Sequence, residues 1–408
     1  DLARDLGVWV GDKIRISTPT SPGDVYQIGA IYDLGQRTHN RAYAYVSLPT
    51  AQALLDLPGG ISSLEMSVDD LFGADRLAQQ LQETTPHEVE SWMRANPQLR
   101  TALGKGGLVL DGGSATTLEG KGHDLSSNLW SAALLRDDPQ AIVEMHLDFL
   151  RAGADVMETT TYQASRMGFL DAGMTPAEAD EMLRVGCRLA KMAVELFMAS
   201  PEFDASRYAF GRPLIAASIG PYGAALADGS EYRGDYGITD EELTQFHLER
   251  IAVLAECDVD LFAFETVPDL EEARVIVELM QRPEYSQIPY WLSFTAGSER
   301  RLAGGALFSD AVKIAAAGPN CVAVGLNCTN PEFITPLLFN AQDVEPQLLR
   351  IVYPNAGRVW DSAARDWLDE GVKTLPTASV DAWRKMGVVM VGGCCGLGPE
   401  AMASLRAM

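Results

Sequence analysis

The repeated alternation of short apolar segments with long amphipathic ones, from Gly107 to the C-terminus, constrains the fold most strongly. Strands joined by helices in this way are typical of a parallel α/β sheet, and eight repeats over about 300 residues favour a (β/α)8 TIM barrel. A doubly wound sheet usually has fewer strands, and no G-x-G-x-x-G follows any of these strands. The eight predicted strands are Leu108–Asp111, Val156–Thr160, Leu214–Ser218, Leu261–Glu265, Tyr290–Phe294, Val322–Leu326, Arg350–Tyr353 and Val388–Gly392.

Two helix starts between these strands are marked by capping boxes. Thr175 precedes Pro176 and is followed three residues later by Glu178, and Thr239 is followed in the same way by Glu242. Proline at the first helical position strengthens the first of these signals.

The first 104 residues have a different pattern, that of a small α+β module. Period-2 alternation predicts strands at Lys13–Ser17 and Tyr43–Ser47, with a turn at Ser21–Asp24, and helices over Thr50–Leu55 and Phe72–Gln82. Glycines from Gly104 to Gly107 break any continuing helix, so we predict two domains, 1–104 and 105–408.

The charge balance excludes some functions. Lys and Arg total 32 against 56 Asp and Glu, which gives a formal net charge of −24. A surface with this much negative charge repels phosphate backbones and anionic lipids. Nucleic acid is therefore not an expected partner. No stretch approaches the roughly 20 apolar residues of a membrane span, so none is expected in this chain.

The C-terminal ends of barrel strands carry the active site in this fold class. Nearly every predicted strand here ends in a polar or metal-binding residue. In chain order these are Asp111, Thr160 with Tyr162, Ser218 with Gly220, Glu265, Thr295, Asn327 with Cys328, Tyr353 with Asn355, and Cys394 with Cys395.

Three cysteines therefore converge on one rim from only two strands. Cys328, Cys394 and Cys395 match the chemistry of a Zn²⁺ site with three protein ligands and an open fourth position. The alternative is that they are small buried hydrophobes, as we expect for Cys187, Cys257 and Cys321. The adjacent pair in a glycine-rich turn favours the metal.

Two carboxylates at strand ends, Asp111 and Glu265, could hold a substrate ammonium group through charge-assisted hydrogen bonds. They could instead cap helices or lie in loops. The glycines after Asp111 could suggest a phosphate loop, but the leading acidic residue and the missing Lys-Ser/Thr pair argue against one. His247, within a helical pattern, is expected to have a structural role.

Taken together, these motifs resemble the homocysteine S-methyltransferase family over residues 106–408. The segments that carry the resemblance are Leu110–Gly113, Leu129–Ala132, Thr160–Ala164, Ser218–Ala224, Asp228–Gly234, Phe264–Pro268, Gly325–Cys328, Tyr353–Gly357 and Gly392–Cys395.

The resemblance implies a zinc-dependent transfer of a methyl group from S-methylmethionine or S-adenosylmethionine to homocysteine, giving methionine. Cys328, Cys394 and Cys395 match the family's zinc ligands, and Asp111 and Glu265 match carboxylates that hold the amino group. Tyr162 and Trp130 match pocket positions. Asn355, just after the predicted strand Arg350–Tyr353, is also predicted to contact the substrate. The resemblance implies no catalytic residue beyond the zinc-bound substrate thiolate. Gly396–Pro399 replaces the family's usual Arg-Thr-Thr-Pro after the cysteine pair, which affects the expected neighbouring contacts.

The N-terminal part resembles something else, the extracytoplasmic core domain of lipoprotein-releasing ABC-transporter permeases. Leu6–Lys13, Ile28–Tyr32 and Ser47–Gln52 carry this resemblance, with Trp92 and Asn96 further on. It implies an extracytoplasmic module fused to a methyltransferase that belongs in the cytoplasm.

Two alternatives remain open at this point. One keeps the reaction class but uses betaine or a methylated corrinoid protein as the donor, although no cobalamin-binding module follows the barrel. The other is a non-enzymatic interaction protein that binds a partner through its N-terminal module.

Overall fold

A computed structural model describes residues 8–18, 21–28, 107–125, 129–208, 210–357, 360–361, 366–367 and 371–408. The chain separates into two compact units, Asp1–Gly73 and Ala74–Met408. The strand predicted at Tyr43–Ser47, both N-terminal helices and Gly104 lie outside the described residues, as does most of the permease-like sequence. The domain boundary at 104 therefore stays a prediction.

The described part of the first unit is an antiparallel hairpin of β1 (Lys13–Thr18) and β2 (Ser21–Gln27). The strand predicted at Lys13–Ser17 is confirmed, but the turn predicted at Ser21–Asp24 is wrong. Thr18 pairs with Ser21 and Ile16 pairs with Asp24, so the register shifts between these pairs. Such a bulge accommodates Pro22, which has no N–H to give to a regular ladder.

The second unit contains the eight-stranded parallel barrel that the sequence predicts. Its strands neighbour one another in chain order, except that the last strand pairs with the first. A parallel bridge between Leu110 and Val156 joins the first strand to the second and so completes the ring. The barrel strands are β3 (Leu108–Val109), β4 (Val156–Glu158), β5 (Leu214–Ile219), β6 (Leu261–Val267), β7 (Tyr290–Phe294), β8 (Cys321–Asn327), β9 (Leu349–Tyr353) and β12 (Val388–Val391); β10 (Trp360–Asp361) and β11 (Asp366–Trp367) form a small hairpin.

Helices connect the strands, and both capping boxes are present. The side-chain oxygens of Thr175 and Thr239 each accept from the backbone three residues on, and Glu178 and Glu242 accept in return. The helices are Ser114–Gly120, Leu134–Asp137, Pro139–Ala152, Arg166–Asp171, Pro176–Met198, Tyr222–Leu226, Asp240–Leu254, Leu270–Met280, Phe308–Ala316, Pro331–Asn340, Thr377–Lys385 and Pro399–Ala407, with 3₁₀ turns at Trp130–Ala133, Ala205–Arg207 and Ser230–Tyr232.

Two apolar layers hold the barrel together. The larger lies between strands and helices and includes Cys187 and Cys321, as expected from the sequence, with Cys257 packed against it. The smaller fills the barrel interior around Trp291 and Tyr353, whose side chains are joined by an indole N–H to hydroxyl hydrogen bond of 3.0 Å. In β4, Val156 belongs to the inner layer and Met157 to the outer one. The next inward position is therefore that of Glu158.

Candidate metal centre and ammonium pocket

The three predicted thiols lie together at the C-terminal rim of the barrel. The Sγ atoms of Cys328, Cys394 and Cys395 are all within 4.8 Å of one another. The Sγ atoms of Cys328 and Cys395 are 3.7 Å apart. Cys328 is buried, whereas its two partners are half-buried. Three thiols that converge in this way present the soft donor set that thiophilic metals prefer.

Backbone contacts position this thiol cluster. The Cys394 N–H donates to the Pro354 carbonyl at 2.8 Å, and the Cys328 N–H donates to the Tyr353 carbonyl at 3.2 Å. Gly392 is required because a Cβ there would lie 2.6 Å from the Leu110 Cβ and 2.9 Å from the Asp111 carbonyl oxygen. Cys328 itself adopts a positive φ of 45°. Non-glycine residues rarely adopt this conformation, and those that do are concentrated at functional sites.

The three thiols are electrostatically unequal. Hydrogen bonding with Cys394 and Cys395 holds the pKa of the Cys328 thiol well below its usual range, and the Tyr232 hydroxyl, 3.2 Å from the Cys328 Sγ, acts in the same direction. The same contacts with Cys328 raise the pKa of both other thiols.

A second polar cluster, of carboxyl groups, comes from the first and fourth strands of the barrel. The two carboxylates predicted to hold an ammonium group, Asp111 after β3 and Glu265 within β6, are both buried. Ser218 donates a short hydrogen bond from its hydroxyl to Glu265 Oε1. Burial raises the pKa of Glu265 to about 8 and raises that of Asp111 well above its usual range. A cation bound beside these buried groups would lower their pKa values again and stabilise them as carboxylates.

A third carboxyl group, Glu158 at the end of β4, was not predicted. Its backbone N–H donates to Asp111 Oδ2 at 2.9 Å, and its carboxyl group faces those of Glu265 and Asp111. The predicted strand ran on to Thr160, which placed Glu158 inside the strand rather than at its end. The signal that could have found it is the period-2 pattern, because Val156 and Glu158 share the inward face.

The other predicted substrate contacts are placed as follows. Tyr162 is half-buried, and Glu231, Cys328 and Glu265 are the charged groups that face it. Asn355 donates from Nδ2 to the Cys328 carbonyl at 3.2 Å and accepts from the Gly357 N–H at 2.8 Å, so its amide supports the rim backbone. Trp130 begins the 3₁₀ turn Trp130–Ala133.

The segment Asp228–Gly234 adds two residues that had no predicted role. Tyr232 contacts the Cys328 thiol as described, and Glu231 is buried, with one carboxyl oxygen that has no hydrogen-bond partner. Burial is the main reason that the pKa of Glu231 is raised to about 7, and the neighbouring Cys328 contributes in the same direction. This segment was recognised only as part of a family motif.

A buried network behind the rim supports the chain around Tyr222. Glu272 Oε1 accepts from the Tyr222 N–H at 2.7 Å and lies 2.7 Å from His247 Nε2, and Glu272 Oε2 accepts from the Tyr236 hydroxyl at 2.9 Å. Arg250 donates to the Gly220 carbonyl at 2.7 Å. His247 therefore has the contacts of a structural residue, as the sequence indicates.

Comparison with known proteins places this geometry in a family. The family model described as "Homocysteine S-methyltransferase" matches residues 108–408, the whole of the barrel. The chain belongs to the homocysteine S-methyltransferase family. Residues 1–104 lie outside the match, so their resemblance to a permease domain stays a prediction.

Individual members of the homocysteine S-methyltransferase family are similar over the same region. Homocysteine S-methyltransferase 1 of Zea mays is 42% identical over 74% of this chain and 93% of its own length. Homocysteine S-methyltransferase YbgG of Bacillus subtilis is 37% identical, over 74% of this chain and 93% of its own length.

A solved structure of the family shares the fold. The homocysteine methyltransferase MmuM from Escherichia coli, in a form described as metallated, superposes with a TM-score of 0.66 at 35% identity. The match covers 76% of this chain and 99% of that one. Among the described residues, no helix has the length and apolar character needed to cross a bilayer.

Proposed function

We propose that this chain transfers a methyl group from a sulfonium donor, S-methylmethionine or S-adenosylmethionine, to the thiol of homocysteine, giving methionine. The observation that carries the proposal is the convergence of the Cys328, Cys394 and Cys395 Sγ atoms within 4.8 Å at the active-site rim of a barrel of this family. The buried carboxyl groups of Asp111 and Glu265 supply a partner for an amino acid's ammonium group.

The donor set fits Zn²⁺ as the metal. Three sulfur atoms from two strand ends are a common ligand set for zinc, and three protein ligands leave a fourth position open. A Zn²⁺ ion held there lowers the pKa of a thiol that reaches the open position, so that the thiol is deprotonated at neutral pH.

The residues of this chain bind and orient the substrates. Asp111 and Glu265 hold the homocysteine ammonium group, which fixes the distance between that group and the reacting sulfur. Tyr162 and Tyr232, close to the thiol cluster, present aromatic rings to a positively charged donor. Because these contacts form before the reaction, much of the rate gain comes from positioning.

The transfer is a single displacement at carbon. The homocysteine sulfur forms a bond to the methyl carbon, the bond from that carbon to the sulfonium sulfur breaks, and its electron pair stays on the donor sulfur. The donor leaves as a neutral thioether, and the thiol proton of homocysteine is released to solvent. No oxidant or reductant is required.

The test is a methyl-transfer assay with the zinc-loaded chain and homocysteine. Methionine should form with S-methylmethionine or S-adenosylmethionine, while betaine and a methylated corrinoid should give none. Formation of methionine from betaine or the corrinoid alone would assign the chain to a different donor class. No methionine from any donor would overturn the proposal.

A further inference from the structure

The three carboxyl groups at the ends of the first, second and fourth barrel strands form one buried cluster. Asp111 is fully buried, and Glu158 and Glu265 are 8% and 5% exposed. In the part of the chain that the structure describes, no lysine or arginine pairs with any of them. Three buried carboxyl groups without a basic partner are stable only if bound protons or a bound cation offset their negative charge.

Two oxygen atoms of this cluster have no hydrogen-bond partner although they are fully buried. They are Asp111 Oδ1 and Glu158 Oε1. Buried acceptors without donors are rare in folded proteins, and each one that occurs needs an explanation, such as a ligand that supplies the donor. The unpartnered atoms therefore indicate a hydrogen-bond donor group that binds in the cluster.

The hydrogen-bond donors around Glu158 and Glu265 indicate which of the two carboxyl groups carries a proton. Two carboxyl groups form a hydrogen bond only when one of them is protonated. Glu265 Oε1 already accepts from the Ser218 hydroxyl, which stabilises a carboxylate there, whereas Glu158 Oε1 has no hydrogen-bond partner. We therefore place the proton on Glu158 and the charge on Glu265, which has the Ser218 donor. The titratable groups that face Glu158 are Asp111, Glu265 and Tyr353.

We propose that Glu158, as a neutral carboxylic acid, is the third member of the ammonium subsite. Its protonated oxygen donates to Glu265 and orients that carboxylate, while its Oε1 accepts a hydrogen bond from the substrate. The inference rests on the proposed function, because it assigns the occupant as the homocysteine amino group. A primary ammonium group has three N–H donors. Asp111 Oδ1, Glu265 and Glu158 Oε1 offer three acceptors, which matches a primary amine.

The test compares two replacements of Glu158 by the binding of two ligands. Homocysteine carries the amino group, and 4-mercaptobutyrate is the same molecule without it. Binding of each to the zinc-loaded chain is measured by calorimetry, and the ratio of the two dissociation constants reports the ammonium subsite alone. Exposed Glu299 gives a matched control, Glu299→Gln.

Glu158→Gln keeps both a donor toward Glu265 and an acceptor toward the ligand. We expect Glu158→Gln to preserve the preference for homocysteine within about twofold, as the control variant Glu299→Gln should. Glutamine differs from a protonated glutamic acid only in that it cannot lose a proton at high pH. Glu158→Leu loses both contacts and should reduce the preference by about tenfold or more. Glu158→Ala removes the same contacts without adding an apolar branch and replaces Glu158→Leu if that variant does not fold.

Two results would overturn the inference. If Glu158→Gln loses as much preference as the apolar variants, Glu158 acts through a negative charge and not as a neutral acid. If the apolar variants keep the wild-type preference, Glu158 does not belong to the subsite. A chain that prefers homocysteine in binding yet forms no methionine would contradict the proposed reaction while leaving the role of Glu158 intact.

Discussion

Asp111 and Glu265 give the sharpest prediction at the scale of single residues. Asp111→Asn and Glu265→Gln keep the shape of each side chain but remove its charge. Each should weaken homocysteine binding by about 1.5–3 kcal/mol, or roughly tenfold or more in KM, since a charged hydrogen bond is lost. Steady-state kinetics with varied homocysteine measures the effect.

Zinc content is the control for both amide variants, and it should not change because neither residue belongs to the thiol cluster. Glu299→Gln controls for the loss of a surface charge. An unchanged KM for homocysteine in both variants would remove the two carboxylates from the binding site.

His146 links the helix Pro139–Ala152 to the barrel and gives a prediction at the scale of elements. It is fully buried, and its Nε2 lies 3.4 Å from the Thr160 hydroxyl beyond β4. Burial lowers its pKa to about 4, whereas an unfolded histidine titrates near 6.5. The folded chain therefore binds fewer protons between these values, and stability falls as the pH falls from about 6.5 toward 4.

The size of this pH effect can be measured against a variant. Urea unfolding at pH 7.5 and pH 5.0 should show that the wild type loses about 2 kcal/mol more than His146→Gln, because glutamine does not titrate. The buried carboxyl groups have raised pKa values, so they change stability with pH in the opposite direction to His146. Their contribution is the same in the wild type and in His146→Gln, and it cancels when the two proteins are compared. Equal losses in the two proteins would show that His146 does not titrate as its burial requires.

The elements were largely predictable because their signals are local. All eight barrel strands were located, with ends shifted by a few residues, and the capping boxes at Thr175 and Thr239 formed as expected. The prediction of a turn at Ser21–Asp24 was wrong because Pro22 and Gly23 lie in a strand, at a point where the register of the hairpin shifts. The other error concerns a strand end. The strand that begins at Val156 was predicted to end at Thr160 rather than at Glu158, so Glu158 was not recognised as a residue of the rim.

Site residues could be predicted where their chemistry is specific, as for cysteines that bind a metal. They were harder to predict where only tertiary contacts bring a residue into the site. The cysteine trio could be recognised from strand order alone, because parallel strands end at the same rim. The contact of Tyr232 with Cys328 and the burial of Glu231 depend on how the segment after β5 folds across the rim. No local pattern encodes that path.

At the scale of the whole molecule, the barrel contains every group assigned to the reaction. Residues 1–104 supply none of the eight strand ends and no cysteine. A chain that begins at Lys105 should therefore fold, bind zinc and form methionine at the rate of the full chain. Loss of activity with zinc content and fold retained would instead show that the N-terminal part takes part in the reaction.

Metal content tests the central claim, a zinc site made of three cysteines, most directly. Elemental analysis of the purified chain should give one zinc per molecule, and this should be lost in Cys328→Ser, Cys394→Ser and Cys395→Ser. Cys187→Ser, which alters a buried core thiol, should keep the full amount. Full zinc in all three rim variants, or loss of zinc in Cys187→Ser, would contradict the account.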